Sequence, residues 1–267
     1  MKVPVTNELF STYAPLLRKL SKAELLTEIE RPEKLLIASD TVRGRRLDVA
    51  YSVFDHANRG ADVVIVGLTP GRQQMRNALI EAQRCLQAGH TEQEAMKSAK
   101  IFASFSGPMR SNLVAMLDDV GVGAALGLSS TSSLWDKDAQ RVHFTSALRY
   151  PVFIDGENYS GAPSIVSVPF LRSQLLQWFT SEMTQLSKAV FIPLGPKVSA
   201  AVEAAAKSLG LSTERILSGL PHPSGANAER IAFFLGRKNR ADISSKVDPE
   251  RLLAARASLN ARIATWV

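Results

Sequence analysis

One short apolar run limits the folds open to this chain more than any other feature. The β-branched residues Val63–Val66 follow Asp62 and end at Gly67, and the chain then turns through Thr69-Pro70-Gly71. A short run of this kind, closed by glycine and proline, is typical of a buried strand in a parallel sheet. α/β proteins place ligands where such strands end. We therefore expect an α/β fold with a binding site just after Gly67.

Strand and helix patterns alternate along the rest of the chain. Further strands are predicted at 142–148, 188–195 and 215–217, and helical spacing of apolar residues, capping boxes or an Asp-Pro start predict helices near 21–31, 75–88, 91–100, 198–208 and 248–267. This alternation predicts a three-layer α/β/α fold around a central, mostly parallel four-stranded sheet. We expect a single domain over 1–267. It has an N-terminal helical extension (1–60, a helix followed by irregular chain), a helical insertion (72–100) and a C-terminal helix (248–267).

Charge and hydropathy indicate the kind of partner. Lys and Arg exceed Asp and Glu by 32 − 25 = 7, and the pI is about 9.7. A basic chain without an apolar run of membrane-spanning length favours a polyanion such as DNA or RNA. Because Met1–Thr6 lacks an apolar signal core, we expect a cytoplasmic protein that makes no membrane contact.

Metal ligands are sparse. Cys85 is the single cysteine, so the chain cannot supply a disulfide framework, a zinc ribbon or a four-thiolate iron–sulfur cluster. Its four histidines are far apart and form no close ligand pair. We expect a monomer that has no metal cluster and needs no cofactor.

Five segments occur in an order that is characteristic of one superfamily. They are Gly67-Leu68-Thr69-Pro70-Gly71, Phe105-Ser106-Gly107, Phe144-Thr145-Ser146, Pro193-Leu194-Gly195 and His222-Pro223-Ser224. With these segments the chain resembles the uracil-DNA glycosylase superfamily over roughly residues 60–235, as a divergent member without iron–sulfur cysteines. The resemblance implies a uracil-DNA glycosylase-like sheet and removal of a base that is flipped out of DNA.

The resemblance also implies roles for individual residues. Thr69 and His222 would be catalytic, with His222 donating a hydrogen bond to the departing base. Gly67, Leu68, Phe105 and Ser146 would bind the base. Phe105 would stack on the base, although its pattern fits an ordinary core phenylalanine equally well.

Contacts to DNA would come from the two turns and from a basic segment further along. The residues that the resemblance assigns to DNA binding are Pro70, Gly71, Arg72, Ser224, Gly225, Asn227, Arg230, Arg237 and Lys238. For Lys238 and Arg240 a solvated helix end is an equally good interpretation.

Two positions depart from the family pattern. Many relatives have Asp, Asn or Glu where this chain has Thr69, and a base-reading Asn where it has Ser146. A threonine hydroxyl is a weak base near neutral pH, and Asp55, Asp118 and Asp155 are the alternatives for activating water, although a surface or capping role is the favoured interpretation of each. The shorter serine leaves volume beside the base, which favours a base other than uracil.

These observations lead to two hypotheses. The first is a monofunctional DNA glycosylase that acts on a damaged or modified pyrimidine: uracil in DNA repair, or an enlarged cytosine in antiviral defence. The second is a catalytically weak or inactive module of the same fold that binds DNA or a nucleotide. An unrelated hydrolase or NTPase has little support, since the chain lacks a G-x-S-x-G elbow and a Walker lysine.

Overall fold

The computed structural model describes residues 8–105 and 107–266. In chain order its strands are β1 (Leu36–Val42), β2 (Arg45–Ala50), β3 (Val63–Gly67), β4 (Val142–Ser146), β5 (Val152–Ile154), β6 (Glu157–Asn158) and β7 (Val190–Pro193). Its α-helices are α1 (Glu8–Lys19), α2 (Lys22–Glu30), α3 (Arg72–Gln87), α4 (Glu92–Ala103), α5 (Pro108–Asp119), α6 (Val122–Ala125), α7 (Pro169–Gln174), α8 (Thr180–Gln185), α9 (Pro196–Ser208), α10 (Ala228–Phe234) and α11 (Pro249–Ala264). A π-helical turn, Leu175–Phe179, joins α7 to α8.

A parallel sheet in the order β4-β3-β7 lies at the centre of the fold. Successive side chains of β3 point to opposite faces, as strand geometry requires. Val63 and Ile65 pack with buried residues of α5, α10 and α11, whereas Val64 and Val66 pack with those of α1, α3, α4 and α9. Helices therefore cover both faces, and the predicted α/β fold with a parallel sheet is confirmed.

The predicted fourth strand at 215–217 is wrong in extent, because this segment makes only one isolated bridge, between Phe191 and Ile216. In β7 the Phe191 amide donates outward to the carbonyl of Arg215, and the Leu194 amide donates inward to β3. The next outward position is Pro193, which has no N–H. Pro193 therefore interrupts the ladder before the amide of Gly195 donates to the carbonyl of Leu220, and the parallel sheet has three strands.

A second, antiparallel sheet in the order β1-β2-β5-β6 was not predicted. Residues 36–50, expected to be irregular, form a hairpin that turns at Arg43 and Gly44, both with positive φ (52° and 76°). An Arg-Gly pair is a weaker hairpin signal than Asn-Gly, so the sequence gives little indication of this turn. β1 also lacks a clear polar–apolar alternation. The helical part of the extension is thus limited to α1 and α2.

The predicted helix signals elsewhere are confirmed. Ser21 with Glu24 and Thr91 with Glu94 form reciprocal capping boxes at α2 and α4, and the carboxylate of Asp248 caps α11. The helical pair α3 and α4 packs with α1 in the same core as one face of the sheet. This pair is therefore an integral layer of the fold. Among the described residues, no helix combines the length and apolar character that crossing a bilayer would need.

Candidate functional site

A cleft of about 1070 Å³ opens at the carboxyl ends of the parallel strands. Its floor consists of residues that follow β3, β4 and β7, and one wall comes from the loop before α10. Ten predicted site residues line it: Gly67, Leu68, Thr69, Pro70, Phe105, Ser146, His222, Ser224, Asn227 and Arg230. Segments up to 163 residues apart in sequence, from Gly67 to Arg230, thus meet at the position that parallel-sheet topology favours for a ligand.

Gly67 lies at the narrowest point of the cleft floor. A Cβ at this position would lie 3.3 Å from Oγ of Ser146 and 3.5 Å from Cζ of Phe105. The absent side chain lets the backbone, the hydroxyl and the ring approach one another closely. Three of the four predicted base-binding residues are therefore in one place, and the fourth, Leu68, packs against the core on the other side of the sheet.

Phe105 is both a core residue and a residue of the cleft lining. Its ring is 6% exposed, packs 5.7 Å from the ring of Phe144, and also lines the cleft. Its backbone is in the left-handed region (φ 46°), which is unfavourable for a bulky residue. Nε of Arg110 donates to its carbonyl at 3.2 Å. Ser106, the next residue, lies outside the described residues, as does the Met1–Thr6 segment.

The ring of His222 has a defined proton arrangement. Its Nδ1 accepts the backbone N–H of Ser224 at 3.2 Å, so the neutral ring carries its proton on Nε2. Burial lowers the pKa of His222, which favours the neutral ring. The residue lines the cleft between the buried Pro221 and Pro223. Within residues 8–105 and 107–266 no group accepts from this Nε2–H, so the neutral imidazole is a hydrogen-bond donor directed by the loop that carries it.

The hydroxyl of Thr69 already has two partners. It donates to the carbonyl of Tyr150 at 2.9 Å and accepts the amide N–H of Val152 at 3.1 Å. Its only proton is thus committed to the protein. Thr69 joins the turn after β3 to the segment between β4 and β5, and its catalytic role stays a prediction.

The loop after His222 is ordered by a chain of side-chain hydrogen bonds. Arg230 donates to Oδ1 of Asn227 at 3.1 Å, and Nδ2 of Asn227 donates to Oγ of Ser224 at 3.3 Å. Gly225 is exposed, with open space where a side chain would be. Three predicted DNA-binding residues therefore form one connected group at the mouth of the cleft.

Comparison with known proteins identifies a relative of this chain. The chain is 35% identical over 226 residues to "Uncharacterized protein YoxB" of Bacillus subtilis (strain 168), and the match covers 84% of this chain and 85% of that protein. The chain belongs to the YoxB family. No family model matches the chain, and no solved structure matches it. The activity of this YoxB-family protein must therefore be inferred from its own geometry.

Arg72 does not contact the cleft, which corrects its predicted place in DNA binding. Its guanidinium donates to the carbonyls of Ile29 and Glu30, both at 2.6 Å, and to that of Gly156. It also lies 4.5 Å from the centre of the Phe153 ring. Arg72 therefore joins α2, α3 and the second sheet, and its charge is turned away from the site.

The predicted basic segment after α10 also lies apart from the cleft. Lys238 pairs with Glu229 at 2.7 Å, and Arg240 pairs with Glu250 at 2.5 Å. Arg237 is exposed, and neither it, Lys238 nor Gly71 lines the cleft. In this YoxB-family chain, carboxylates thus neutralise two of the cations that the sequence suggested for phosphate contact.

Other cations line the cleft and were missed. Lys197, at the first turn of α9, donates to the carbonyl of Ser160 at 3.0 Å, and Lys246 and Arg251 lie on the opposite wall beside Arg230. Composition gives no sign that separates them from other surface cations. Their position depends on how α9 and α11 pack, which sequence patterns do not specify.

The three candidate aspartates have structural roles and do not line the cleft. Asp118 accepts from Ser130 and Thr131, and Asp155 pairs with Arg45 at 2.6 Å. Asp55 is fully buried. The expectation that each is a surface or capping residue fits the first two. Among the described residues, no group of three or more His, Cys, Asp or Glu side chains could hold a metal ion.

Asp55 belongs to a buried polar network behind the cleft, which we define as Asp55, Lys100, His143, Arg149 and Glu182. The hydroxyls of Tyr51 and Tyr150 donate to Asp55 at 3.0 and 2.8 Å. Glu182 lies 2.5 Å from Nε of Arg149 and 3.0 Å from Nε2 of His143. Nζ of Lys100 donates to the carbonyls of Phe54 and His56.

Burial determines the ionisation of this network. It raises the pKa of Asp55 to about 6, lowers that of Lys100 to about 8 and lowers that of His143 to about 4. Although burial opposes its ionisation, Arg149 and Lys100 hold the pKa of Glu182 below its usual range. Arg149, 2% exposed, is the member that also lines the cleft.

Proposed function

We propose that the chain is a monofunctional DNA glycosylase with a uracil-DNA glycosylase-like fold, acting on a flipped, damaged or modified pyrimidine. The observation that carries the proposal is the neutral His222, whose Nε2–H is free in a cleft floored by Gly67, Phe105 and Ser146. Such a site combines a leaving-group donor with an aromatic side chain and a close-approach glycine.

The reaction would use His222 as follows. The N-glycosidic bond breaks, its electron pair leaves with the base, and the Nε2–H of His222 donates to the base oxygen on which charge develops. A donor of this kind stabilises the transition state more than the bound substrate. Water then adds to the sugar carbon and releases a proton, which leaves an abasic site. The ring of Phe105 offers a stacking surface that offsets the cost of flipping.

The short side chain of Ser146 and the size of the cleft support an enlarged base as the substrate. Serine leaves volume that an asparagine would occupy, and the whole cleft reaches about 1070 Å³. This is at the upper end of the roughly 300–1,000 Å³ of drug-sized ligand sites. A modified cytosine therefore fits the proposal better than an unsubstituted uracil.

A single-turnover assay tests this proposal. Duplexes containing uracil, hypoxanthine or glucosylated hydroxymethylcytosine are incubated with excess protein, and abasic sites are detected by alkaline cleavage. We expect cleavage of the enlarged base first, and a rate lower by about 100- to 1,000-fold in His222→Ala, the usual cost of a removed transition-state donor. His90→Ala, an exposed histidine before α4, is the matched control. A rate that His222→Ala leaves unchanged, or no abasic sites on any duplex, would contradict the proposal.

A second function is favoured by Thr69. The turn after β3, Leu68-Thr69-Pro70-Gly71, has no acidic or amide side chain that could activate water. The proton of the Thr69 hydroxyl is already donated to the carbonyl of Tyr150. The site would then bind a flipped nucleotide without cleaving it. Tight binding of the same duplexes, weakened by His222→Ala but without abasic sites, is the result expected for such a binding module.

A further inference from the structure

The charges on the α10–α11 side of the cleft differ from those of Lys238 and Arg240 in the basic segment after α10. Arg230, Lys246 and Arg251 all line that wall. Lys246 and Arg251 are exposed, and within residues 8–105 and 107–266 neither side chain forms an ion pair or a hydrogen bond. We call these three residues the rim cations.

Arg230 is held in place without being neutralised. Its guanidinium donates to Oδ1 of Asn227 at 3.1 Å and to the carbonyl of Lys246 at 2.6 Å, and both acceptors are uncharged. On this wall the carboxylate of Asp248 caps α11 by accepting the amide of Arg251, and a second carboxylate in the cleft, that of Glu203 on α9, accepts the hydroxyl of Ser218. The wall therefore keeps a net positive charge of about two, because three cations face one anion.

The basic segment that the sequence singled out has the opposite character. Lys238 and Arg240 form ion pairs of 2.7 and 2.5 Å with Glu229 and Glu250. Glu229 also accepts from the backbone and hydroxyl of Ser244, which holds the loop leading to Lys246. Carboxylates thus neutralise the outer cations and fix the loop, while the cations beside the cleft stay free.

We propose that the rim cations bind the phosphates of a DNA strand that lies across the mouth of the cleft. Unpaired cations beside a concave, low-dielectric wall raise the local potential and attract a polyanion. Phosphate contacts of this kind position the strand without reading its sequence. The inference rests on the proposed function for its choice of DNA, but it concerns binding alone and does not require a base to be removed.

Binding of a short fluorescent DNA duplex over about 50 to 200 mM salt tests this inference. Each phosphate contact contributes about 0.9 to the slope of log K against log salt, so Lys246→Ala/Arg251→Ala should make the slope shallower by about 2. We expect the affinity at the lowest salt to fall by about tenfold or more. Arg230 is left intact because its loss would disturb Asn227.

The matched control is Lys188→Ala/Lys207→Ala. Both lysines are exposed. Lys188 lies before β7 and Lys207 lies near the end of α9, at the amino ends of the parallel strands and away from the cleft. This variant loses the same number of positive charges as the rim variant, and we expect its slope to match that of the wild type. An equal change in control and rim variants, or no change in the rim variant, would overturn the inference.

The result is separable from that of the excision assay. A shallower slope in a protein that makes no abasic sites would support the rim inference and contradict the glycosylase. Abasic sites with an unchanged slope would do the reverse. Stronger rim-dependent binding of a matched RNA duplex would overturn the assignment to DNA.

Discussion

The buried polar network and the cleft share Arg149, and the rest of the two regions use polar residues in opposite ways. In the network, Glu182 faces Arg149 and His143, and Asp55 faces two tyrosine hydroxyls. At the cleft, Nε2 of His222 and the side chains of Lys246 and Arg251 have no partner among the described residues. We expect polar groups that have partners inside the protein to contribute to its stability. We expect polar groups without such partners at a concave surface to contribute to binding.

The largest expected effect is on the network side. Glu182→Gln leaves Arg149 and Lys100 as buried cations without their carboxylate, and breaking a buried pair in this way costs about 3–5 kcal/mol. Urea unfolding at neutral pH measures the loss. The control is Glu157→Gln in β6, where the carboxylate is exposed and substitutions change stability by roughly ±0.5 kcal/mol. Equal stability of the two variants would show that the network does not hold the fold together.

The next effect concerns the dependence of the network on pH. Burial lowers the pKa of His143 to about 4, so its contribution to stability is complete above its ordinary value and is lost as pH falls toward 4. Between about pH 7 and pH 5 the stability difference between wild type and His143→Gln should shrink by about 1–2 kcal/mol.

Using this difference removes the contribution of Asp55, whose raised pKa has the opposite effect: its stabilisation is lost as pH rises toward 6. Urea unfolding at the two pH values gives the result. The exposed His90→Gln should keep the wild-type pH dependence. A difference that stays constant with pH would place the titrating group elsewhere.

Substitutions of Thr69 test whether this residue contributes to stability, like the network, or to activity, like His222. Thr69→Val keeps the shape but leaves the Tyr150 carbonyl and the Val152 amide without partners, which costs about 1–3 kcal/mol. Thr69→Ser should restore most of this stability. If Thr69 belongs to the structural side, Thr69→Val lowers the excision rate far less than His222→Ala does. A loss of activity in Thr69→Val as large as that in His222→Ala, at unchanged stability, would move Thr69 to the catalytic side.

The smallest expected effect is a weak dependence on pH. Because burial lowers the pKa of His222, its ring becomes charged at a lower pH than an ordinary histidine, which becomes charged near pH 6.5. The single-turnover excision rate should therefore fall by less than about twofold between about pH 7.5 and pH 6.5, the fall expected if an ordinary histidine lost its neutral form. A larger fall across this range that disappears in His222→Ala would contradict the neutral donor.

The sequence predicts the parallel strands and the cleft well for a physical reason. Strands β3 and β7 are short apolar runs that end in glycine and proline, β4 is buried up to its last residue, and parallel topology brings the ends of all three to one edge. Gly67, Ser146 and His222 therefore meet as expected. Local patterns are sufficient where each element specifies its own burial.

The second sheet and the electrostatics were not predictable in the same way. Strands β5 and β6 have three and two residues, too few for a periodic pattern, and the β1–β2 hairpin joins them only through the pairing of β2 with β5, far along the chain. The sequence predicts that Arg72 is a cation beside a turn that contacts DNA. In the structure, the carbonyls of Ile29, Glu30 and Gly156 accept hydrogen bonds from its guanidinium. Whether a charge is free depends on its partners in three dimensions, and spacing along the chain does not record them.

Pro193 affects how the protein behaves in solution. An unpaired outer strand is a template on which a second molecule can add a strand, and this is a common route to aggregation and domain swapping. On the outer side of β7 the amide of Phe191 is already taken by Arg215, and Pro193 offers no amide at all. An incoming strand would find no regular ladder to extend. The residue that limits the sheet to three strands therefore also protects that edge, and a concentrated sample should resist assembly through it.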